Sequence, residues 1–182
     1  MNFTVEPQTI RDVLLIRRQR FEDRRGFFSE LFRRSRFSAL GLETEFAQDN
    51  LAHSRRNVLR GLHFQRPPAA QGKLVTVTRG RIYDVAVDLR RREPTYRRWV
   101  AAELSGEGGE MLWIPPGFAH GYLALSDEVE VYYKVTTEYD PKLDAGVRWN
   151  DPDLGIVWPV PEPVLSERDR ALPLLREMEN PF

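Results

Sequence analysis

The chain has 182 residues, enough for one domain with a sizeable core, since a domain of this length buries roughly 70% of its unfolded surface. Its 27 Lys and Arg balance its 27 Asp and Glu, so no overall charge draws it to nucleic acid or to an anionic membrane. It contains no cysteine, which excludes disulfides, thiolate metal ligands and thiol nucleophiles.

Short segments that alternate polar and apolar residues dominate the sequence and predict β-strands. In chain order they cover residues 13–18, 26–32, 58–65, 73–78, 81–89, 99–104, 111–114, 119–125 and 129–137, with Gly, Pro and Asp turns between them. Two short helices are predicted, over residues 35–40 and over residues 167–177 with Ser166 as N-cap. This pattern predicts an all-β sandwich or barrel, and the absence of repeats and linkers predicts a single domain over residues 1–182.

The beginning of the chain gives no sign of export or of membrane insertion. Residues 1–10 alternate without the apolar stretch of a signal peptide, and no apolar run has the length of a membrane span. We therefore expect a cytoplasmic protein.

Several polar side chains fall on the apolar faces of predicted strands. Tyr133 shares a face with Val129, Val131 and Val135, Lys73 with Val75 and Val77, Asp84 with Ile82 and Ala86, and His63 with Leu59 and Gly61. Burying such groups is unfavourable unless they are paired, so the pattern predicts a polar cavity inside the barrel. The alternative is a structural ion pair of Asp84 with Lys73 or His63.

The three histidines, His53, His63 and His120, make a poor metal site. A metal-binding barrel usually needs two or three histidines with a carboxylate, often with two of them in a His-x-His pair, and residues 61–64 offer one. We therefore expect no metal and no other cofactor, and we expect His63 to act as a base.

Nine motifs along the chain occur in a characteristic order. The relevant motifs are RGFFSE at 25–30, QDN at 48–50, VLRGLHFQ at 58–65, QGKL at 71–74, DVAVD at 84–88, WIPPGFAHG at 113–121, YK at 133–134, WNDPDLGIVWP at 149–159 and LSERD at 165–169. In their order and spacing the chain resembles the dTDP-4-dehydrorhamnose 3,5-epimerases, a family that acts on dTDP-4-keto-6-deoxyglucose. The resemblance implies a cupin-like jelly-roll barrel with a few short helices, and a homodimer whose subunits pair sheet edges and exchange N-terminal residues.

The resemblance also implies the roles of particular residues. His63 and Asp169 match the family's base dyad, Tyr133 its proton donor and Lys73 the lysine near the C4 oxygen of the sugar. The positions that would contact nucleotide, diphosphate or sugar are Arg25, Glu30, Gln48, Asn50, Arg60, His120 and Arg168, and Tyr139 would stack on thymine. Arg168 stands where lysine is expected in the family, which keeps the charge and changes its geometry.

The chemistry explains why such groups are needed. Removing the hydrogen on C3 or C5 leaves an enolate with its charge on the C4 oxygen, and a preorganised cation there contributes on the order of 100 to 1,000 fold. A positioned base adds about 100 to 10,000 fold. Histidine titrates near neutrality, and a carboxylate fixes its tautomer, while a phenol such as Tyr133 can return the proton from the opposite face.

Several alternatives stay open on the sequence alone. Regular alternation puts Arg60 and His63 on opposite faces, so either Gly61 marks a bulge or close backbone approach that redirects one of them, or Arg60 serves elsewhere. Gln48 and Asn50 are as typical of turn capping as of base recognition, and Tyr139 is typical of an aromatic plug at a strand end. The alternative functions are epimerisation at C3 or C5 alone, a metal-dependent cupin isomerase or dioxygenase, and a nucleotide-sugar binding module.

Overall fold

Two β-sheets packed face to face form the body of the protein in the computed structural model, which describes residues 2–179 and 181–182. Within those residues the strands are β1 (Phe3–Pro7), β2 (Leu14–Arg18), β3 (Phe21–Asp23), β4 (Gly26–Phe28), β5 (Gln48–Arg55), β6 (Leu59–Gln65), β7 (Lys73–Arg79), β8 (Arg81–Asp88), β9 (Trp99–Ser105), β10 (Glu110–Ile114), β11 (Phe118–Ala124), β12 (Glu128–Val135) and β13 (Asp144–Gly146). One sheet has the order β1-β2-β10-β7-β12-β5 and the other β13-β6-β11-β8-β9, while β3 and β4 form a separate hairpin. The all-β prediction is confirmed.

The apolar side chains form three layers. Val75, Val131 and Ile82 belong to a cluster between the two sheets, to which both sheets contribute. A second cluster covers the outer face of the five-stranded sheet with residues from the C-terminal segment, and a third covers the outer face of the six-stranded sheet around Phe37. Both faces of each sheet are thus buried over much of their length.

The helices are short. Helix α1 covers Arg34–Ala39, one residue from the prediction, and α2 covers only Glu167–Arg170. The prediction of one helix over 167–177 is wrong in length, because Pro173 has no N–H to continue the ladder, and the chain resumes as a 3₁₀ turn at Leu175–Glu177. Ser166 caps α2 as predicted, with its hydroxyl accepting a hydrogen bond from the backbone N–H of Asp169. Neither helix in the described part of the chain has the length and apolar character needed to cross a bilayer.

The strand predictions fail mainly at the ends and edges of the sheets. The predicted strand 26–32 ends at Phe28, because it forms an exposed hairpin with β3 rather than joining a sheet. Strands β1, β3, β5 and β13 were not predicted. Strand β3 belongs to that hairpin, and the other three are edge strands. Strand β5 reads QDNLAHSR, and its exposed polar positions hide the alternation that identifies a half-buried strand.

Strand β6 contains an irregularity at Gly61 that determines where its side chains point. His63 pairs with His120, but Arg60 pairs with Tyr122, so β6 has one extra residue in this interval. Gly61 has φ +122, and a Cβ atom there would lie 2.6 Å from the Cα of Gly121. Of the alternatives that the sequence left open, a bulge at Gly61 is the one observed, and it turns Arg60 and His63 to the same side.

Candidate active site

A cavity of about 420 Å³ opens between the two sheets. Its lining residues are Ala52, Val58, Leu59, Arg60, His63, Lys73, His120, Tyr122, Tyr133, Val164, Leu165, Ser166, Arg168 and Asp169. All four residues predicted to be catalytic are among them. The C-terminal segment around Ser166 closes one side, so the cavity combines residues from distant parts of the sequence.

His63 and Asp169 form a close pair at the wall of this cavity. His63 Nε2 lies 2.6 Å from Asp169 Oδ1, and the Asp169 side chain is almost fully buried. Burial alone would raise the pKa of Asp169, but the hydrogen bond and the charge of His63 outweigh it and hold this pKa below its ordinary value. An ionised Asp169 accepts the Nε2 proton, which leaves Nδ1 as the nitrogen that can take a proton from a ligand.

Lys73 begins strand β7 and places a buried ammonium beside the same cavity. Burial lowers the pKa of Lys73 to about 8, although the charges of Asp144 and Asp84 oppose the shift. Lys73 is therefore still mostly protonated at neutral pH, and a positive charge with little access to water is available inside the cavity.

Tyr133 lies on β12, in the sheet opposite to the one that carries His63. Alternation along β12 turns Tyr133 inward, as predicted, and sends its neighbours Tyr132 and Lys134 to Asp49 on the outside. Burial and the nearby Tyr122 raise the pKa of Tyr133, and Arg60 only partly opposes the effect. Tyr133 consequently keeps its proton at neutral pH, and its hydroxyl can donate a hydrogen bond or a proton to a ligand.

His120 and Asp84 form a second buried pair, with 2.6 Å between His120 Nε2 and Asp84 Oδ1. The expected alternative, an ion pair of Asp84 with Lys73 or His63, is wrong, because the register of β11 and β8 brings His120 within reach instead. The other carboxylate oxygen, Asp84 Oδ2, is buried without a hydrogen-bond partner in the described structure. Asp84 also lies near enough to Lys73 to oppose the lowering of the Lys73 pKa by burial.

Arg60 is held in place by two groups on β5. Its Nε donates to Ser54 Oγ at 3.0 Å, and its Nη2 donates to the carbonyl oxygen of His53 at 2.8 Å. Ser54 Oγ also lies 3.1 Å from Tyr122 Oη. Ser54 and Tyr122 were not predicted as site residues from the sequence, although Tyr122 has the same parity on β11 as His120.

A second cavity of about 270 Å³ shares His63, Lys73, Tyr133 and Arg168 with the first. At its far end Gln48 Nε2 donates to Asn50 Oδ1 at 2.7 Å, and Gln48 Oε1 accepts from the backbone N–H of Tyr139 at 2.8 Å. The two cavities together form one elongated site, with the titratable groups at its centre and amide groups at one end.

Asp144 links Tyr139 and Arg168 at the mouth of the second cavity. The Tyr139 hydroxyl donates to Asp144 Oδ2 at 3.0 Å, and the Arg168 guanidinium forms an ion pair with the same carboxylate. Half of the Tyr139 side chain remains exposed, so its ring is available to a ligand at this end. Asp144 was not identified from the sequence.

Arg25 and Glu30 do not reach either cavity of this chain. Arg25 lies on the β3–β4 hairpin and pairs with Asp23 at 2.6 Å, while Glu30 pairs with Arg33 at 2.6 Å. Their contact with a ligand stays a prediction.

Within residues 2–179 and 181–182, no three His, Asp or Glu side chains cluster in a way that could hold a metal ion. His63 and His120 each face a carboxylate of their own, Asp169 and Asp84. The donor set required by the metal-dependent alternative is thus divided between two separate pairs.

Comparison with known proteins identifies relatives over most of the chain. A family model described as dTDP-4-dehydrorhamnose 3,5-epimerase matches residues 7–177. The dTDP-4-dehydrorhamnose 3,5-epimerase of Salmonella typhimurium is 48% identical over 168 residues, covering 91% of this chain and 92% of the relative.

Solved structures extend the likeness to the fold. The dTDP-6-deoxy-D-glucose-3,5-epimerase of Legionella pneumophila, in complex with dTDP-4-keto-L-rhamnose, has a TM-score of 0.93 and 41% identity, covering 97% of this chain and 95% of that one. A 3'-monoepimerase from Streptomyces bikiniensis, in complex with dTDP-quinovose, has a TM-score of 0.87 and 35% identity, covering 93% of this chain and 87% of that one. The predicted cupin-like jelly roll is confirmed.

Proposed function

This chain belongs to the dTDP-4-dehydrorhamnose 3,5-epimerase family, and from that premise we propose how its residues epimerise dTDP-4-keto-6-deoxyglucose at C3 and C5. The product is dTDP-4-keto-L-rhamnose. The observation that carries the proposal is that His63, Asp169, Lys73 and Tyr133 line one cavity between the sheets.

The first requirement of the reaction is a stabilised enolate. Lys73 places its ammonium at the C4 oxygen, where negative charge develops as the proton on C3 or C5 leaves. Because Lys73 is buried, little water competes for this charge, and its effect on the transition state is larger than at a surface.

The second requirement is a base and an acid on opposite faces of the sugar. His63 takes the proton through Nδ1, and Asp169 stabilises the imidazolium that forms. Tyr133 returns a proton from the opposite side, since β6 and β12 belong to facing sheets. Inversion follows from this geometry, because the proton leaves toward one sheet and arrives from the other.

The remaining predicted contacts position the nucleotide. Gln48 and Asn50 offer amide groups to the thymine edge, and Tyr139 offers a half-exposed ring for stacking. Arg60 and Arg168 supply charge for the diphosphate, and His120 contacts the sugar. No metal and no redox cofactor enters the proposed scheme.

We extend the proposal to a homodimer of single-domain chains, 1–182, in the cytoplasm, with no nucleic-acid or membrane partner. The β3–β4 hairpin supports the dimer, because it exposes Phe21, Phe27 and Phe28 around Arg25, and an exposed aromatic cluster of this kind is typical of an interface. A second copy receiving this hairpin would bring Arg25 and Glu30 to its own cavity. We expect Phe28→Asp to shift the sedimentation coefficient to that of a monomer and to raise KM. A dimer with unchanged KM would contradict this part of the proposal.

Incubation with dTDP-4-keto-6-deoxyglucose in heavy water tests the reaction directly. We expect deuterium at both C3 and C5 in the wild type, detected by NMR, because each inverted carbon receives a proton from a group in exchange with solvent. Label at one carbon alone would show that the chain epimerises a single carbon. A tight complex with unaltered, unlabelled substrate would identify a binding module instead.

A further inference from the structure

We propose that Tyr122 is a second phenolic proton donor of the sugar cavity, serving one of the two inverted carbons while Tyr133 serves the other. The inference rests on the proposed function, because it assigns a role within the same reaction. Two inversions require two protons on the face opposite His63, and one phenol that has given its proton is a phenolate until it is protonated again. Because C3 and C5 lie on opposite sides of C4, a second phenol on that face gives each carbon a donor of its own.

The position of Tyr122 places its hydroxyl on the required side. Its backbone belongs to β11, next to His63 on β6, but the side chain crosses between the sheets and ends 3.1 Å from Ser54 Oγ. Ser54 lies on β5, the strand paired with β12, which carries Tyr133. Both phenols thus reach the cavity at the six-stranded sheet, facing the base on the other sheet.

The hydrogen bonds around Ser54 orient the Tyr122 proton. Ser54 Oγ accepts from Arg60 Nε at 3.0 Å, and guanidinium nitrogens can only donate. Ser54 is buried, and among the described residues the remaining partner of its hydroxyl is Tyr122 Oη. Ser54 therefore donates to Tyr122, which leaves the phenolic O–H free to point into the cavity. The chain from Arg60 through Ser54 to Tyr122 also polarises that O–H bond.

The groups around Tyr122 suit a proton donor that is ionised only briefly during the step. Burial raises the pKa of Tyr122, so the phenol keeps its proton at neutral pH, while the Ser54 hydrogen bond and the Arg60 charge work in the opposite direction. In the step itself, the Tyr122 O–H bond breaks and a C–H bond forms at the enolate carbon. The C4 carbonyl re-forms, and the phenolate accepts a hydrogen bond from Ser54 until a proton from the His63 imidazolium returns through water.

Tyr122→Phe tests the assignment, with inversion and exchange followed separately at each carbon by NMR in heavy water. We expect inversion at one carbon to fall by about 100-fold or more while inversion at the other persists, giving a product epimerised at a single position. Tyr132→Phe is the matched control, because it removes a phenol from the outer face of β12 and should leave both inversions unchanged. Tyr133→Phe should impair inversion at the other carbon.

Each outcome decides the question. Double inversion by Tyr122→Phe at the wild-type rate, or equal loss at both carbons, would overturn the assignment. If that variant fails to fold by circular dichroism, Ser54→Ala replaces it, and we expect a changed ratio of the two inversions, whereas an unchanged ratio would overturn the proposal. A wild-type protein that inverts neither carbon would instead refute the proposed function.

Discussion

Replacing Lys73 by methionine should stabilise the protein while removing its activity. Lys73 is buried, and the net effect of its surroundings lowers its pKa from 10.5 to about 8. A lowered pKa for a basic group means that the folded state disfavours the charged form. Methionine has a similar length and no charge, so it fills the same space without that penalty.

The size of the effect follows from the pKa difference and changes with pH. Below pH 8 the lysine is charged in both states, and the folded state bears the full penalty of about 3 kcal/mol, since one pKa unit corresponds to about 1.4 kcal/mol. Between pH 8 and pH 10.5 the unfolded state binds more protons than the folded state, so the stability of the wild type rises with pH. The advantage of Lys73→Met should therefore shrink to about 1 kcal/mol at pH 10.

Urea unfolding of wild type and Lys73→Met at pH 7 and at pH 10 measures both quantities. Lys142→Met serves as the control, because Lys142 is exposed and its replacement should not change the free energy of unfolding at either pH. Lower stability of Lys73→Met than of the wild type at pH 7 would show that burying the Lys73 charge does not destabilise the fold. A stability difference that does not depend on pH would contradict the lowered pKa of Lys73.

Three further predictions concern activity and packing. Deprotonation of Lys73 removes the charge at the C4 oxygen, so kcat/KM should fall as the pH rises through about 8, and a flat profile to pH 9.5 would argue against its role. Asp169→Asn should lower kcat by about 100-fold with little change in KM, because it leaves His63 without the carboxylate that fixes its tautomer. Steady-state kinetics measures both constants, and a change in KM alone would contradict this role. Gly61→Ala should destabilise the fold by about 1–3 kcal/mol in thermal unfolding, because the added Cβ would lie 2.6 Å from the backbone. Gly155→Ala is the control, because its Cβ would meet nothing within 4 Å, and it should lower the stability by less. Equal destabilisation by the two variants would contradict a clash at Gly61.

The sequence predicted the inner strands well because alternation is a direct consequence of burying one face of a strand. Tyr133 illustrates this, since its parity on β12 with Val129 and Val131 predicts the inward position that it occupies. The hairpin of β3 and β4 and the edge strand β5 were poorly predicted, because exposed strands carry no constraint on their outer side chains.

His63, Lys73, Tyr133 and Asp169 line one cavity, but the pairings around them were not all predicted. Parity along a strand tells which face a side chain occupies, whereas the partner depends on the register between strands that are far apart in sequence. Asp84 shows the difference, because its inward position was predicted and its partner His120 was not. Ser54 and Tyr122 were missed for the same reason, since their contact joins two sheets.

The pairing of His63 with Asp169 has a consequence for how the enzyme matures. The two residues are 106 positions apart in sequence. Asp169 is held by the Ser166 cap in the C-terminal segment, whereas His63 lies on β6. We expect this contact to close late, because closing a long loop costs more conformational entropy than forming a local contact. Catalytic competence should therefore appear only when the tail has docked, so recovery of turnover during refolding should lag behind the return of β-sheet circular dichroism.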